Sequence, residues 1–245
     1  MKRLLWVVMA LAWWGTASAA SEQALRHVDL DLGDKASLQR GARTFVNYCV
    51  SCHSASYARY SRLAKDLEIP EAIVAQSMMF PTSKIGNTMT VGMRKNDVEA
   101  WFGVPPPDLS VIARSRGPDW LYTFLLTFYL DPGRPTGVNN LAFKDTAMPH
   151  VLWELQGLQR PVLETSKDEH GNEVKHITGM EVAILGEQSG SEYRQTARDL
   201  VNFLVYLGEP AKLVRYRIGF WVMLFLVGFF YLAYQLKKEY WKDVH

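Results

Sequence analysis

The chain has 245 residues, 27 basic against 25 acidic, 48% apolar and 12% aromatic. It is long enough to bury a sizeable core and lacks the basic excess of a nucleic-acid binder. Its two cysteines, Cys49 and Cys52, exclude a disulfide-stapled scaffold. The N-terminus carries Lys2 and Arg3, an apolar run over 4–14, and Ala17-Ser18-Ala19 before Ala20. This order predicts an export leader over residues 1–19, since so short a run cannot cross a hydrocarbon core of about 30 Å. Without Lys2 and Arg3 the chain is neutral. Setting aside also the six basic and two acidic residues from Lys212 onward leaves 19 basic against 23 acidic in the exported body, a net charge of −4. This mild acidic balance favours a basic partner.

After Ser37, the apolar residues Leu38, Ala42, Phe45 and Cys49 recur at helical spacing, which predicts a helix capped by Ser37. Gly41 on that face allows a neighbour to approach closely. The helix runs into Cys49-Val50-Ser51-Cys52-His53. Two thiols three positions apart sit on one side of a helical turn, where they can add to the two vinyl groups of a porphyrin. The adjacent imidazole can then take one axial position on the iron. A thioredoxin-like dithiol shares the spacing but needs a preceding strand and a thiol at a helix N-terminus, neither of which is indicated. These residues predict one covalently bound haem c.

Residues 104–110, Val-Pro-Pro-Pro-Asp-Leu-Ser, are extended because each proline restrains its predecessor. Prolines offer carbonyls without adding donors, so Pro105, Pro106 and Pro107 are candidates to accept the free N–H of a metal-bound His53. A rigid linker explains them equally well. Pro118-Asp119 then opens a helix rich in Leu and aromatics, predicted over 120–130 and ended by Asp131-Pro132.

The sixth ligand decides what such an iron does: thioether sulfur raises the potential and suits an electron carrier, a second imidazole lowers it, and an open face binds small gases. Met148 stands between the turn-rich stretch 132–140 and Pro149, which keeps it out of helical geometry and stiffens its loop. His150, Met89 and Met93 compete with it, because most methionines fill cores.

Residues 161–193 alternate around polar turns such as Glu169-His170-Gly171-Asn172 and predict a hairpin excursion. A second strong helix is predicted over 192–207, with Tyr193, Ala197, Leu200, Leu204 and Leu207 on one stripe and Gly208 and Pro210 closing it. It is expected to pack on the first. Residues 218–236 carry no charge and span about 28 Å as a helix, one bilayer crossing. Arg215, Arg217, Lys237 and Lys238 flank them, and Phe220, Trp221, Tyr231 and Tyr234 lie toward their ends as interfacial aromatics do.

In order, the haem motif, Pro106-Pro107-Asp108-Leu109-Ser110 followed by Arg114, Leu125-Leu126-Thr127, Pro135-Thr136-Gly137-Val138, Ala147-Met148-Pro149 and a single C-terminal anchor resemble the cytochrome c1 family. The likeness covers nearly all of the mature chain. It implies thioether bonds from Cys49 and Cys52, axial ligands His53 and Met148, and Arg114 near a haem propionate, where the residues alone indicate a solvated charge. It sets Trp120 or Tyr122 near the haem. Some bacterial members tie the methionine loop with an additional cysteine pair, which this chain lacks, and the stretch Phe143-Lys144-Asp145-Thr146 departs from the mitochondrial pattern. Stiffness there falls to Pro149 and packing. No dense acidic run marks a docking site for a strongly basic cytochrome.

The resemblance implies a mainly α protein: a c-type cytochrome fold with long loop insertions and a small hairpin, plus one C-terminal transmembrane helix. The expected division is a leader at 1–19, a periplasmic haem domain at 20–211, an anchor at 212–236 and a cytoplasmic tail at 237–245, in a bacterial inner membrane. The implied function is that of the electron-transfer subunit of a quinol:cytochrome c oxidoreductase (bc1) complex, without catalysis of its own. Its implied partners are a cytochrome b subunit, a Rieske iron–sulfur protein and a periplasmic cytochrome c or similar acceptor, within a dimeric complex. A free-standing tethered shuttle to a terminal oxidase and a haem-based gas-binding module are the alternatives.

Overall fold

In a computed structural model, which describes residues 24–167 and 172–243, the chain folds in the order α1 (Lys35–Tyr48), β1 (Ala55–Arg59), α2 (Tyr60–Asp66), α3 (Glu71–Ser77), β2 (Thr88–Met89), α4 (Lys95–Phe102), α5 (Ile112–Ser115) and α6 (Pro118–Leu126). It continues through β3 (Phe128–Leu130), β4 (Val138–Asn140), α7 (Trp153–Gln156), β5 (Gly157–Lys167), β6 (Glu173–Leu185), α8 (Gly190–Gly208) and α9 (Lys212–Tyr240). The predicted leader at 1–19 lies outside the described residues.

Helix α1 begins earlier than its apolar stripe suggests. Asp34 is the N-cap, its carboxylate accepting from the Ser37 N–H at 3.0 Å. A charged cap also complements the helix dipole. Ser37, expected as the cap, is buried instead and donates from Oγ to Asp199 at 2.7 Å. The expected pairing of the first and last helices of the body is present. Phe45 of α1 meets Phe203 of α8 with ring centroids 5.5 Å apart. A Cβ at Gly41 would stand 2.1 Å from the Asp199 carbonyl oxygen and 2.7 Å from Phe203 Cβ, so the crossing exists only because residue 41 has no side chain.

Asp199 sits buried at this crossing. It accepts from Arg40 Nε at 2.6 Å and Gln195 Nε2 at 2.8 Å as well as from Ser37. Asn202 extends the network, donating to Ser37 Oγ at 3.0 Å and to the Asp31 carbonyl at 2.7 Å. Helix α8 starts in a reciprocal capping box between Ser189 and Glu192.

The aromatic run after Pro118 divides. Helix α6 stops at Leu126, and Phe128–Leu130 pairs antiparallel with Val138–Asn140, Phe128 opposite Asn140 and Leu130 opposite Val138. The predicted helix to residue 130 is therefore corrected to a helix followed by a strand. Phe128, Tyr129 and Leu130 favour extended backbone when a partner strand is present, and Asn140 caps the broken turn by donating to the Phe124 carbonyl at 2.7 Å.

The hairpin excursion starts and ends earlier than the predicted 161–193, running from Gly157 to Leu185 with Val162 opposite Gly179 and Lys167 opposite Glu173, because residues from Gly190 onward already belong to α8. Gly157 starts it at φ 84°, where an added Cβ would stand 2.2 Å from the Ile184 carbonyl oxygen. Helix α9 has no buried residue along its length and continues past the expected boundary at 236 to Tyr240.

Candidate functional site

The residues after α1 continue its winding in tight turns. The N–H groups of Cys49 and Val50 reach the Phe45 carbonyl at 2.8 and 3.0 Å, and those of Cys52 and His53 reach the Cys49 carbonyl at 3.1 and 2.8 Å. Both thiols are free, Cys49 buried and Cys52 partly so. Burial, with a smaller contribution from Cys52, pushes the Cys49 thiol up to about 12. A thiol so reluctant to ionise is unlike the exposed low-pKa thiolate of a dithiol redox enzyme.

His53 is fixed by a single strong contact: its Nδ1–H donates to the Pro107 carbonyl oxygen at 2.7 Å, which assigns the tautomer and leaves Nε2 with its lone pair available. Burial lowers the His53 pKa, against smaller opposing effects of the Pro107 carbonyl and Asp108. The ring is thereby kept neutral, as a metal donor must be. Of the three candidate prolines, the geometry selects Pro107.

The segment that presents this carbonyl is laced to the chain just after His53. Asp108 accepts from the Ser56 N–H at 2.9 Å through one carboxylate oxygen and from the Ser110 N–H at 2.8 Å through the other. Ser110 Oγ accepts from the Tyr57 N–H at 3.1 Å, and the Leu109 N–H donates to the Ser54 carbonyl at 2.8 Å. Burial alone would raise the Asp108 pKa, but the hydrogen bonds from Ser110 and Ser56 together hold it below the ordinary carboxylate value. Ser56, the partner of Asp108 in β1, carries no pattern of its own in the sequence. The Pro-Asp-x-Ser spacing was the available signal.

Met148 lies on a separate loop, half-buried against the core. Its N–H donates to Thr146 Oγ1 at 3.3 Å, and Pro149 follows it. The loop is tied down by groups that sequence reasoning missed. Asn139 Oδ1 accepts from the Asp145 N–H at 2.8 Å, and Asn140 Oδ1 accepts from the Ala142 and Phe143 N–H groups at 2.9 and 3.2 Å. Arg134 donates to the Asp145 carbonyl at 2.9 Å, which holds Asp145 in a left-handed conformation with φ 62°. The Asn139-Asn140 doublet was the only visible clue.

The competing candidates sit otherwise. Met89 is fully buried, paired opposite Ala55 between β1 and β2, and Met93 lies in the following loop. His150 is buried with its ring stacked on Phe128 at 4.8 Å. Burial pushes its pKa down to about 4; Gln156 and the Gly157 backbone are close enough to oppose this, yet neither makes a hydrogen bond of good geometry to Nε2. Arg114 is exposed on α5 with its stem against Gly208, where a Cβ would lie 3.2 Å from Arg114 Cγ. Arg116, not singled out by the sequence, lies over the Trp120 ring at 5.0 Å. Tyr122 is buried in α6.

Two free thiols at the end of a helix, a neutral imidazole with one nitrogen anchored and the other available, and a thioether on a stiffened loop are a donor set that fits a covalently attached haem. With a C-terminal helix long and apolar enough to cross a bilayer, they define a membrane-anchored c-type haem protein. The family model described as "Cytochrome C1 family" matches residues 30–244. The chain is 48% identical to cytochrome c1 of Allochromatium vinosum over all of this chain and 99% of that one. It is 45% identical to a protein of Nitrosomonas europaea named ammonia monooxygenase gamma subunit, again over 100% of this chain and 99% of the relative. Cytochrome c1 of Blastochloris viridis is 29% identical over 86% of this chain and 82% of its own. The chain belongs to the cytochrome c1 family, whose members carry one covalently attached haem c.

Proposed function

We propose that this chain is the electron-transfer haem subunit of a quinol:cytochrome c oxidoreductase (bc1) complex, with Cys49 and Cys52 holding the haem and His53 and Met148 as its axial donors. The membership of the family carries the function. The observation that supports the residue assignment is the 2.7 Å bond from His53 to Pro107, directly after the two thiols. The haem supplies one reversible one-electron couple. The protein's own residues hold and tune it. Pro107 orients the imidazole and makes it a better donor, Asp108 and the serines fix Pro107, and the Asn139, Asn140 and Arg134 contacts hold the Met148 loop. Arg114, a permanent cation on α5, is assigned to a haem propionate.

In this reading the subunit receives an electron from the Rieske iron–sulfur protein and passes it to a periplasmic cytochrome c or a similar carrier, while cytochrome b handles the quinol. The haem domain over 20–211 faces the periplasm of a bacterial inner membrane, α9 anchors it through 212–236, and the tail from 237 is cytoplasmic. The complex is dimeric. Support for this arrangement comes from the family and from the exposed, apolar length of α9.

The test is purification of the native complex with subunits identified, haem staining after denaturation, and an optical redox titration. The expected result is one covalent haem on this chain, reduced by quinol only when a cytochrome b and a Rieske protein co-purify. A chain without haem stain would end the proposal, and a chain isolated alone with full activity toward a terminal oxidase would favour a free shuttle. Protease added from the cytoplasmic side should remove only the tail.

A further inference from the structure

Trp120, Phe124 and Phe128 recur every four residues from α6 into β3, and their rings form a continuous ladder. Trp120 and Phe124 stack at 5.2 Å with planes 9° apart, and Phe124 meets Phe128 edge-on at 5.0 Å. The loop that carries Met148 touches this ladder at both ends. Before the methionine, Phe143 meets Trp120 edge-on at 6.3 Å, and Arg116 lies over both rings at 5.0 and 5.8 Å. After it, the His150 ring lies flat on Phe128 at 4.8 Å with planes 5° apart. Phe128 is buried to 1% exposure and His150 to 6%, whereas Phe143 keeps 45%. One grip is therefore in the core and the other at the surface.

A thioether is a weak neutral donor, so the fraction of time it stays on an iron depends on how far its loop is already ordered by contacts the iron does not make. We propose that Phe143 and His150 are positioning residues for the axial methionine: by gripping the two ends of one aromatic ladder they hold the 143–150 segment so that the Met148 sulfur remains bound. They thereby set the redox potential and keep the sixth position closed to outside ligands. This gives His150, a competing ligand by sequence, a different role through the same segment. The proposal rests on the assignment of Met148 as the sixth ligand.

The experiment uses the full-length chain in its native complex, with variants His150→Ala, His150→Phe, Phe143→Ala and Met148→Leu. Three quantities are read: the near-infrared sulfur-to-iron absorption of the oxidised haem, the midpoint potential, and the rate of carbon monoxide binding to the reduced haem. His150→Ala should weaken the absorption, lower the potential and speed carbon monoxide binding by roughly two- to tenfold, the population shift that one aromatic pair controls. Phe143→Ala, at a surface position, should move all three in the same direction. His150→Phe, which can still stack, should restore the wild-type values. The proposal is overturned if His150→Ala and Phe143→Ala retain wild-type values, or if His150→Phe behaves like His150→Ala. Met148→Leu separates the two layers: an unchanged absorption there removes Met148 as ligand. Its loss there, with no response in His150→Ala or Phe143→Ala, leaves the ligand standing and rejects the ladder.

Discussion

His53 donates to a carbonyl that belongs to the end of a proline run, so the acceptor is held by a backbone with little freedom to turn away. The next residue, Asp108, ties that run to β1 by accepting from the Ser56 N–H, while its other oxygen accepts from the Ser110 N–H within its own segment. Because Asp108 titrates below its ordinary value in the folded chain, its contribution to stability is complete above the unfolded carboxylate pKa. That contribution is lost as pH falls through the lower folded value. Thermal melts of the wild-type chain should therefore show an acid-side fall below about pH 4, and Asp108→Asn should flatten it while lowering stability near pH 7. Equal acid slopes in the two proteins would show that Asp108 has no such role. At Met148, replacement by Leu should lower the midpoint potential by on the order of 0.1 V or more, a fraction of the range of about 0.8 V that axial ligands command. The check is a redox titration of the purified complex.

At the scale of elements, the crossing of α1 and α8 sets where the two thiols and His53 stand, since α1 ends on them. Gly41→Ala would drive a methyl into the Asp199 carbonyl and Phe203, and overpacking of this kind costs about 3 kcal/mol when the backbone is the obstacle. Denaturant unfolding should register that loss. Asp199→Ala removes the shared acceptor of Ser37, Arg40 and Gln195 and should cost about 2–3 kcal/mol by the same measurement, as loss of a hydrogen-bonded charge does. Both helices were legible in the sequence because their apolar residues recur at 3.6-residue spacing. The cap of α1 and the end of α6 were not. Asp34, one turn earlier, caps the helix through the Ser37 N–H while the Ser37 hydroxyl is taken up by Asp199, and Phe128–Leu130 becomes a strand only because Val138–Asn140 lies beside it.

For the whole molecule, α9 contributes no buried side chain, so its removal should leave the haem domain intact. A chain ending at Ala211 should fractionate with soluble proteins and retain the covalent haem and the unfolding midpoint of the full chain. A large fall in that midpoint would show that the anchor supports the domain. The haem motif, the anchor and the two long helices are determined by the sequence alone, because each depends on residues close together in the chain: thiols three apart, an uncharged apolar run, an apolar stripe. The carbonyl that orients His53, the asparagine and arginine contacts that hold the Met148 loop, and the ladder that grips it were decided only by the tertiary structure. The carbonyl stands 54 positions from His53, and the ladder joins α6 and β3 to the Met148 loop, so the loop-closure cost of these contacts is met by burial across the whole core. The asparagine and arginine contacts span only 2 to 11 positions, but they depend on an irregular loop conformation that no regular spacing encodes.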